Sequence, residues 1–215
     1  IIQYMLSGKS GGYSGVVYQL AEHVRASYQV PSYQVPVLMG SWGRKLCALA
    51  GEIADEVKVG GSTNPDLVPV IQSYIAAGET IATRPLGTVK VVMGAVSVLD
   101  EDRQAARSAA KRAAALYLPV VAALDPTVTV EPALIDRLRV HSERGENAQA
   151  AALISDELLD KFAFAGDADD LINHALRLFE AGAGRVEFGT PNGLNPQTGI
   201  DILGRKVLPA LRKSI

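Results

Sequence analysis

Residues Val37 to Leu46, VLMGSWGRKL, set an apolar run against two glycines, the chain's one tryptophan and two cations. If Gly40, Ser41, Trp42 and Gly43 open a helix, they place free backbone N–H groups at its positive end, where a phosphate is held. Arg44 and Lys45 add to this reading, because a cation in a first helical turn costs about 0.3–1 kcal/mol unless an anion lies close by. A second reading stays open: a tight turn from strand to helix with both cations reaching to water, since the spacing is neither G-x-G-x-x-G nor a P-loop. Trp42 divides the same way, between stacking on a planar ring and packing at a rim.

Other groups carry less. In GGSTNPD, Ser62, Thr63 and Asn64 could donate to a ligand, although turn and cap duties account for the same residues. In GTPNG, Gly189 and Gly193 allow close backbone approach, and Pro191-Asn192-Gly193 also suits a turn. The acidic runs Asp100 to Asp102 and Asp167 to Asp170 stand at helix starts and read as caps. His141 and His174 read as surface residues, neither with a carboxylate partner nearby in sequence. Cys47 reads as a small buried apolar residue inside a helix. With His23, the three histidines show no metal-ligand spacing.

The elements that would position these residues alternate. PVLMG reads as a strand. It is followed by a helix from Arg44 to Ala54 with Leu46, Leu49, Ala50 and Ile53 on one face. Glu56 to Gly61 is a second strand, and its helix has Asn64 as N-cap and Pro65 at the first position. Thr88 to Asp100 is apolar on both faces, as a strand covered on both sides must be, and Asp100 caps an Ala-rich helix from about Glu101. Helical pieces follow at Glu131 to Arg139, Asn147 to Ala152 and Ser155 to Phe162, with no strand among them. Asp167 then caps a helix bearing Leu171, Ala175, Leu178 and Phe179, AGAG stops it, and RVEFG is the fourth strand. A last helix from about Thr198 carries Ile200, Leu203, Val207 and Leu211.

Residues 1–36 stand apart from this register. Ile1 to Leu6 reads as the end of a helix with a glycine stop. The text from Gly12 to Tyr33 repeats YQVP and suggests a hairpin around GVVYQL, with Pro31 and Pro36 opposing helix. From residue 37 to 215 the alternation implies a parallel α/β sheet. Four such strands form either a small doubly wound domain or half of an eight-stranded barrel, and the helical opening favours the half barrel.

Composition narrows the function classes. With 215 residues, 48% hydrophobic and 20% charged, the chain can bury a core. A net charge of −2 without a basic tract excludes nucleic acid as a first partner. The longest apolar stretch, Ala113 to Leu124, is too short for a bilayer and Pro119 interrupts it, so no membrane partner is expected. One cysteine and the absence of a signal peptide suggest the cytoplasm, and the missing initiator Met suggests sequence upstream of Ile1.

The runs VPVLMGSWGRKLCALAGEIADEVKVGG, ISDELLDKFAFAGDADDLINHALRLFEAGAGRVEFGTPNG and GIDILGRKVLPALRK resemble the luciferase-like flavin and deazaflavin oxidoreductases. Within them they are most similar to the coenzyme F420-dependent branch that includes the methylenetetrahydromethanopterin reductases. That resemblance implies a (β/α)8 TIM barrel of which this chain covers the second half, strands five to eight, with a helical insertion before the last strand. It maps the grip on the cofactor's phosphate tail onto Gly40, Ser41, Trp42 and Gly43, with Arg44 standing where many relatives carry proline. The implied activity is hydride transfer between F420 and a small organic substrate, a folate-like pterin carrier among the candidates, in a homodimer. The alternatives are an FMN-dependent monooxygenase and a catalytically inert half barrel. No catalytic residue can be carried over, because the family's first four strands line much of the substrate pocket.

Overall fold

The computed structural model describes residues 1–9, 11–30 and 32–214, and the chain divides into two compact units, Ile1–Val37 and Leu38–Ile215. In the first, helix α1 (Ile2–Leu6) ends where Gly8 takes φ +73°, its N–H on the Met5 carbonyl. This is the glycine stop expected from the sequence. Strands β1 (Tyr13–Ser14) and β2 (Gln19–Leu20) then pair antiparallel, which is the expected hairpin. Pro31 lies outside the described residues.

The second unit begins β3 (Leu38–Gly40), α2 (Arg44–Ile53), β4 (Glu56–Gly60), α3 (Leu67–Ile81), β5 (Lys90–Leu99) and α4 (Arg103–Ala114). Short helices α5 (Leu118–Val121), α6 (Pro132–Glu143), α7 (Asn147–Ala152) and α8 (Asp156–Phe162) follow. Then come β6 (Phe164–Gly166), α9 (Ala168–Glu180), β7 (Arg185–Gly193), α10 (Pro196–Ile202), a π-helical turn (Leu203–Val207) and α11 (Leu208–Ser214).

These five strands form one parallel sheet. The long β5 organises it: β4 pairs with Lys90–Gly94 and β6 with Ser97–Leu99 along one edge, while β7 takes the other. Four of these strands are the expected ones, and β6 is a fifth that periodicity does not show. Its three residues are wholly buried, so they show no alternation, and they run on directly from α8. β5 is buried almost throughout, as its two-sided apolar text requires.

Helix packing follows small residues. Ala106, Ala110 and Ala114 line the buried side of α4 and let it lie close on Leu118, Leu138, Leu159 and Phe162. Helices α2 and α3 meet through Gly51 and Gly78: a Cβ on Gly51 would collide with the Ile75 carbonyl, and one on Gly78 with the Ala48 carbonyl. The α2 helix lies where its periodicity puts it, but its buried face is Cys47, Ala50 and Gly51. Leu46, Leu49 and Ile53 are exposed at 52%, 39% and 46%. The close glycine contact decides which side faces in. In the last helical run Leu203, Val207 and Leu211 are buried as expected while Ile200 is half exposed. The π turn adds a residue to the repeat and rotates the preceding α10 out of phase.

Candidate cofactor-binding site

The loop after β3 is fastened to the end of β4. The Ser41 N–H donates to the Lys58 carbonyl at 3.0 Å and the Trp42 indole N–H to the Gly60 carbonyl at 3.0 Å. The half-buried Trp42 ring packs on the rim of the core beneath α4. Ser41 is buried, and its hydroxyl oxygen accepts the Gly43 N–H at 3.1 Å. Gly43 is the N-cap of α2 in extended conformation, and no side chain caps that helix. The first amide to enter the ladder is that of Cys47, on the Gly43 carbonyl, so the N–H groups of Arg44, Lys45 and Leu46 lie ahead of it. Cβ positions on Gly40 and Gly43 would meet nothing within 4 Å, and the Arg44 and Lys45 residues are exposed. An open, uncapped, cationic helix start with two bare glycines fits an anionic group of phosphate size. The structure thus brings Gly40, Ser41, Trp42 and Gly43 together at the C-terminal end of the sheet.

The second loop is spoken for. Ser62, Thr63 and Asn64 are fully buried. Thr63 Oγ1 donates to the Asp160 carbonyl at 2.9 Å, and the Thr63 N–H to that of Lys161 at 2.9 Å. Asn64 Nδ2 donates to Asp125 Oδ2 at 2.9 Å and to Thr127 Oγ1 at 2.7 Å, while its Oδ1 accepts the Asp66 N–H. Helix α3 starts at Leu67 with Asp66 at its N-cap, so Asn64 and Pro65, expected as N-cap and first helical residue, lie just before the observed start. This loop is a tether between the sheet and the helices that follow β5.

GTPNG belongs to β7, where sequence reading put a loop after the strand. The pairing with β5 jumps from Gly189 opposite Val96 to Asn192 opposite Val98. Ser97 Oγ donates to the Gly189 carbonyl at 2.6 Å, and Asn192 sits at φ +73°. A Cβ on Gly189 would lie 2.6 Å from the Ala95 carbonyl, so glycine is needed for sheet packing there.

The acidic runs are caps, with one change of residue. Asp102, in place of Asp100, caps α4 by accepting the Ala105 N–H, and Asp100 Oδ1 accepts the Asp102 N–H. Asp167 and Asp170 form a reciprocal capping box at α9. Asp170 also takes a bidentate pair from Arg103 at 2.6 and 3.0 Å, and that guanidinium and the Asp167 N–H hold its carboxyl below the usual range against the effect of burial.

Both histidine expectations are corrected. His174 is buried, with Nε2 2.8 Å from the Thr63 carbonyl and its ring edge-on to Phe164. Its periodic position in α9 points inward, and the backbone carbonyl gives it a partner that no local pattern reveals. His141 does have a carboxylate close in sequence: Nδ1 lies 2.7 Å from Glu146. Cys47 is fully buried as expected, which pushes its thiol up.

Sequence reading missed a charged quartet across β4 and β7. Lys58 pairs with Glu187, and Arg185 bridges Glu56 at 2.6 Å and Glu187 at 3.1 Å. The alternation EVKVG could have indicated Glu56 and Lys58 as one face of β4, since Val57 and Val59 form the buried other. Among the described residues no group of three or more His, Cys, Asp or Glu could hold a metal ion, and no helix is long and apolar enough to cross a membrane.

Parallel α/β chains gather their ligand loops at the C-terminal ends of the strands, and the loop that follows β3 stands at such an end. The chain belongs to the luciferase-like monooxygenase family, whose model matches residues 1–185. It is 28% identical over 220 residues to a 5,10-methylenetetrahydromethanopterin reductase of Archaeoglobus fulgidus, covering 99% of this chain and 64% of that protein. Its fold is similar to the coenzyme F420 dependent tetrahydromethanopterin reductase from Methanopyrus kandleri at a TM-score of 0.85 and 24% identity, covering 98% of this chain and 60% of that one. It is also similar to an F420-dependent secondary alcohol dehydrogenase in complex with an F420-acetone adduct, at a TM-score of 0.71 and 22% identity over 98% of this chain and 59% of the other. The chain spans about three fifths of the length of these relatives.

Proposed function

We propose that this chain is part of an F420-dependent oxidoreductase that moves a hydride between the deazaflavin and a small organic substrate, with a pterin carrier of folate type among the candidates. In this reading β3, β4, β5 and β7 are strands five to eight of a (β/α)8 barrel, and α5 to α8 with the short β6 form the insertion before the last strand. Residues 1–36 are the end of a barrel helix and an inserted hairpin, and the whole enzyme is a homodimer.

The observation that carries the reading is the uncapped start of α2, open at Gly40 and Gly43 and flanked by Arg44 and Lys45. When bound, the deazaflavin supplies the hydride chemistry. The chain's own residues supply the grip. The N–H groups ahead of Cys47 and the two cations hold the phosphate of the tail, and Ser41, accepting the Gly43 N–H, braces the turn that presents them. Trp42, pinned to the Gly60 carbonyl, forms a fixed wall beside them.

Fluorescence titration of the 215-residue chain with F420, and separately with FMN, tests this. The double variant Arg44→Glu/Lys45→Glu should weaken F420 binding by about tenfold to a hundredfold, the worth of one charge-assisted hydrogen bond. Tighter binding of FMN would favour the monooxygenase reading. F420 affinity unchanged in the double variant, or absent altogether in a folded chain, would count against the site.

A further inference from the structure

The helical stretch between β5 and β6 holds a cleft of about 390 Å³, within the range of small-molecule sites. Its floor is apolar: Val128 and Val130 ahead of α6, Leu134 on α6 and Leu158 on α8, all half-buried and packed on the core under α4. A ligand body laid there would extend that core, and this favours an apolar one.

The polar end is the Lys161 side chain, 28% exposed. Its ammonium meets Asp66 Oδ2 and Asn64 Oδ1, each at 3.5 Å, the outer limit of a hydrogen bond. Asn64 Oδ1 already accepts the Asp66 N–H, and the Asp66 side chain is 69% exposed. Neither partner saturates an ammonium with three protons to donate. The other ionisable groups on the cleft, Glu131 and Glu157, are exposed, where water screens them. Lys161 is a cationic side chain among the residues that line the cleft, and its ammonium keeps donor capacity for a ligand.

We propose that this cleft binds a small amphiphilic anion, a carboxylate on an aliphatic or aromatic body of about ten carbons, a size such a cleft encloses. The body lies on Val128, Val130, Leu134 and Leu158, and the carboxylate takes the Lys161 ammonium. The site shares no residue with the β3–α2 loop and does not depend on the cofactor reading.

Three isosteres that differ only in their polar end test it: 4-phenylbutyrate, 4-phenylbutanol and 4-phenylbutylamine, titrated calorimetrically into the full chain. The carboxylate should bind with a Kd of about 1 mM or tighter and about tenfold ahead of the alcohol. Lys161→Met, which keeps the stem and removes the charge, should reduce the carboxylate to the alcohol's affinity, and Lys161→Arg should retain it. Thr129→Trp, a change at an exposed lining residue, should block the carboxylate and the alcohol alike. Preference for the amine, a carboxylate affinity indifferent to Lys161→Met or Thr129→Trp in variants with the parent's circular dichroism, or no binding by any probe overturns the proposal.

Discussion

The His174 ring is held inside the fold by the Thr63 carbonyl, 2.8 Å from Nε2, so Nε2 must carry the proton. Burial lowers its pKa from 6.5, Arg177 and Arg107 push the same way, and the hydrogen bond to Thr63 and the charge of Asp160 oppose them. The folded state keeps the ring neutral while the unfolded chain takes up a proton below about pH 6.5. With more protons bound in the unfolded state, stability is complete above that pH and falls as the solution is acidified, by at most about 1.4 kcal/mol per unit. His174→Gln keeps a donor without the titration. Urea midpoints between pH 7 and 5 should decline less in that variant than in the parent, and parallel declines would remove His174 from the account. Asn64 presents the converse case, a buried polar group whose job is local geometry. Asn64→Ala strips a donor from the buried Asp125 and should cost about 1–3 kcal/mol in thermal or chemical unfolding. The sequence marks Asn64 as a helix-start residue because Asn-Pro is a local signal. Asp125, the partner of Asn64, and Thr63, the partner of His174, each come from far along the chain, and no spacing rule reaches them.

At the level of elements, propensity and packing give opposite signs for one substitution. Glycine inside a helix is worse than alanine by about 1 kcal/mol, so Gly78→Ala in α3 and Gly204→Ala in the π turn would both stabilise if intrinsic preference ruled. At Gly204 a Cβ meets open space, and a gain of about 0.4–1 kcal/mol is expected there. At Gly78 the Cβ would drive into the Ala48 carbonyl and part α2 from α3, costing about 1–3 kcal/mol. Melting temperatures should therefore move in opposite directions, and a rise at Gly78 would show that the two helices have slack. The same contact explains what the sequence reading of α2 left out. Periodicity locates a helix and its apolar residues, yet cannot say that two glycines will turn Cys47 and Ala50 inward and leave Leu46 and Leu49 outside. The strands divide similarly. β5 is legible because its length and two-sided apolar text have one explanation, whereas β6 exists only because β5 runs past the end of β4 and offers Ser97 to Leu99 a free edge.

On the scale of the whole molecule, among the described residues β3 pairs with β4 alone, and β6 and β7 each with β5 alone, so the sheet keeps unpaired strand edges. Open edges promote association. Leu38 on β3 is 39% exposed, and Leu46, Leu49 and Ile53 on the following α2 are exposed as well. Covering Leu46, Leu49 and Ile53 would contribute about 1 kcal/mol each, taking half of the value for complete burial. This supports the reading of the chain as part of a closed barrel, because a strand with pairing on both sides and a helix with neighbours on both sides would use all of these groups. The expected behaviour of the 215-residue chain follows: light scattering during size-exclusion chromatography should show self-association that grows with concentration. Leu49→Lys/Ile53→Lys, placed on the exposed face and clear of the Gly51–Gly78 contact, should shift the population towards monomer without lowering the melting temperature. A parent chain that stays monomeric at every concentration would mean that the edges are already protected, and the open-barrel reading would have to be given up.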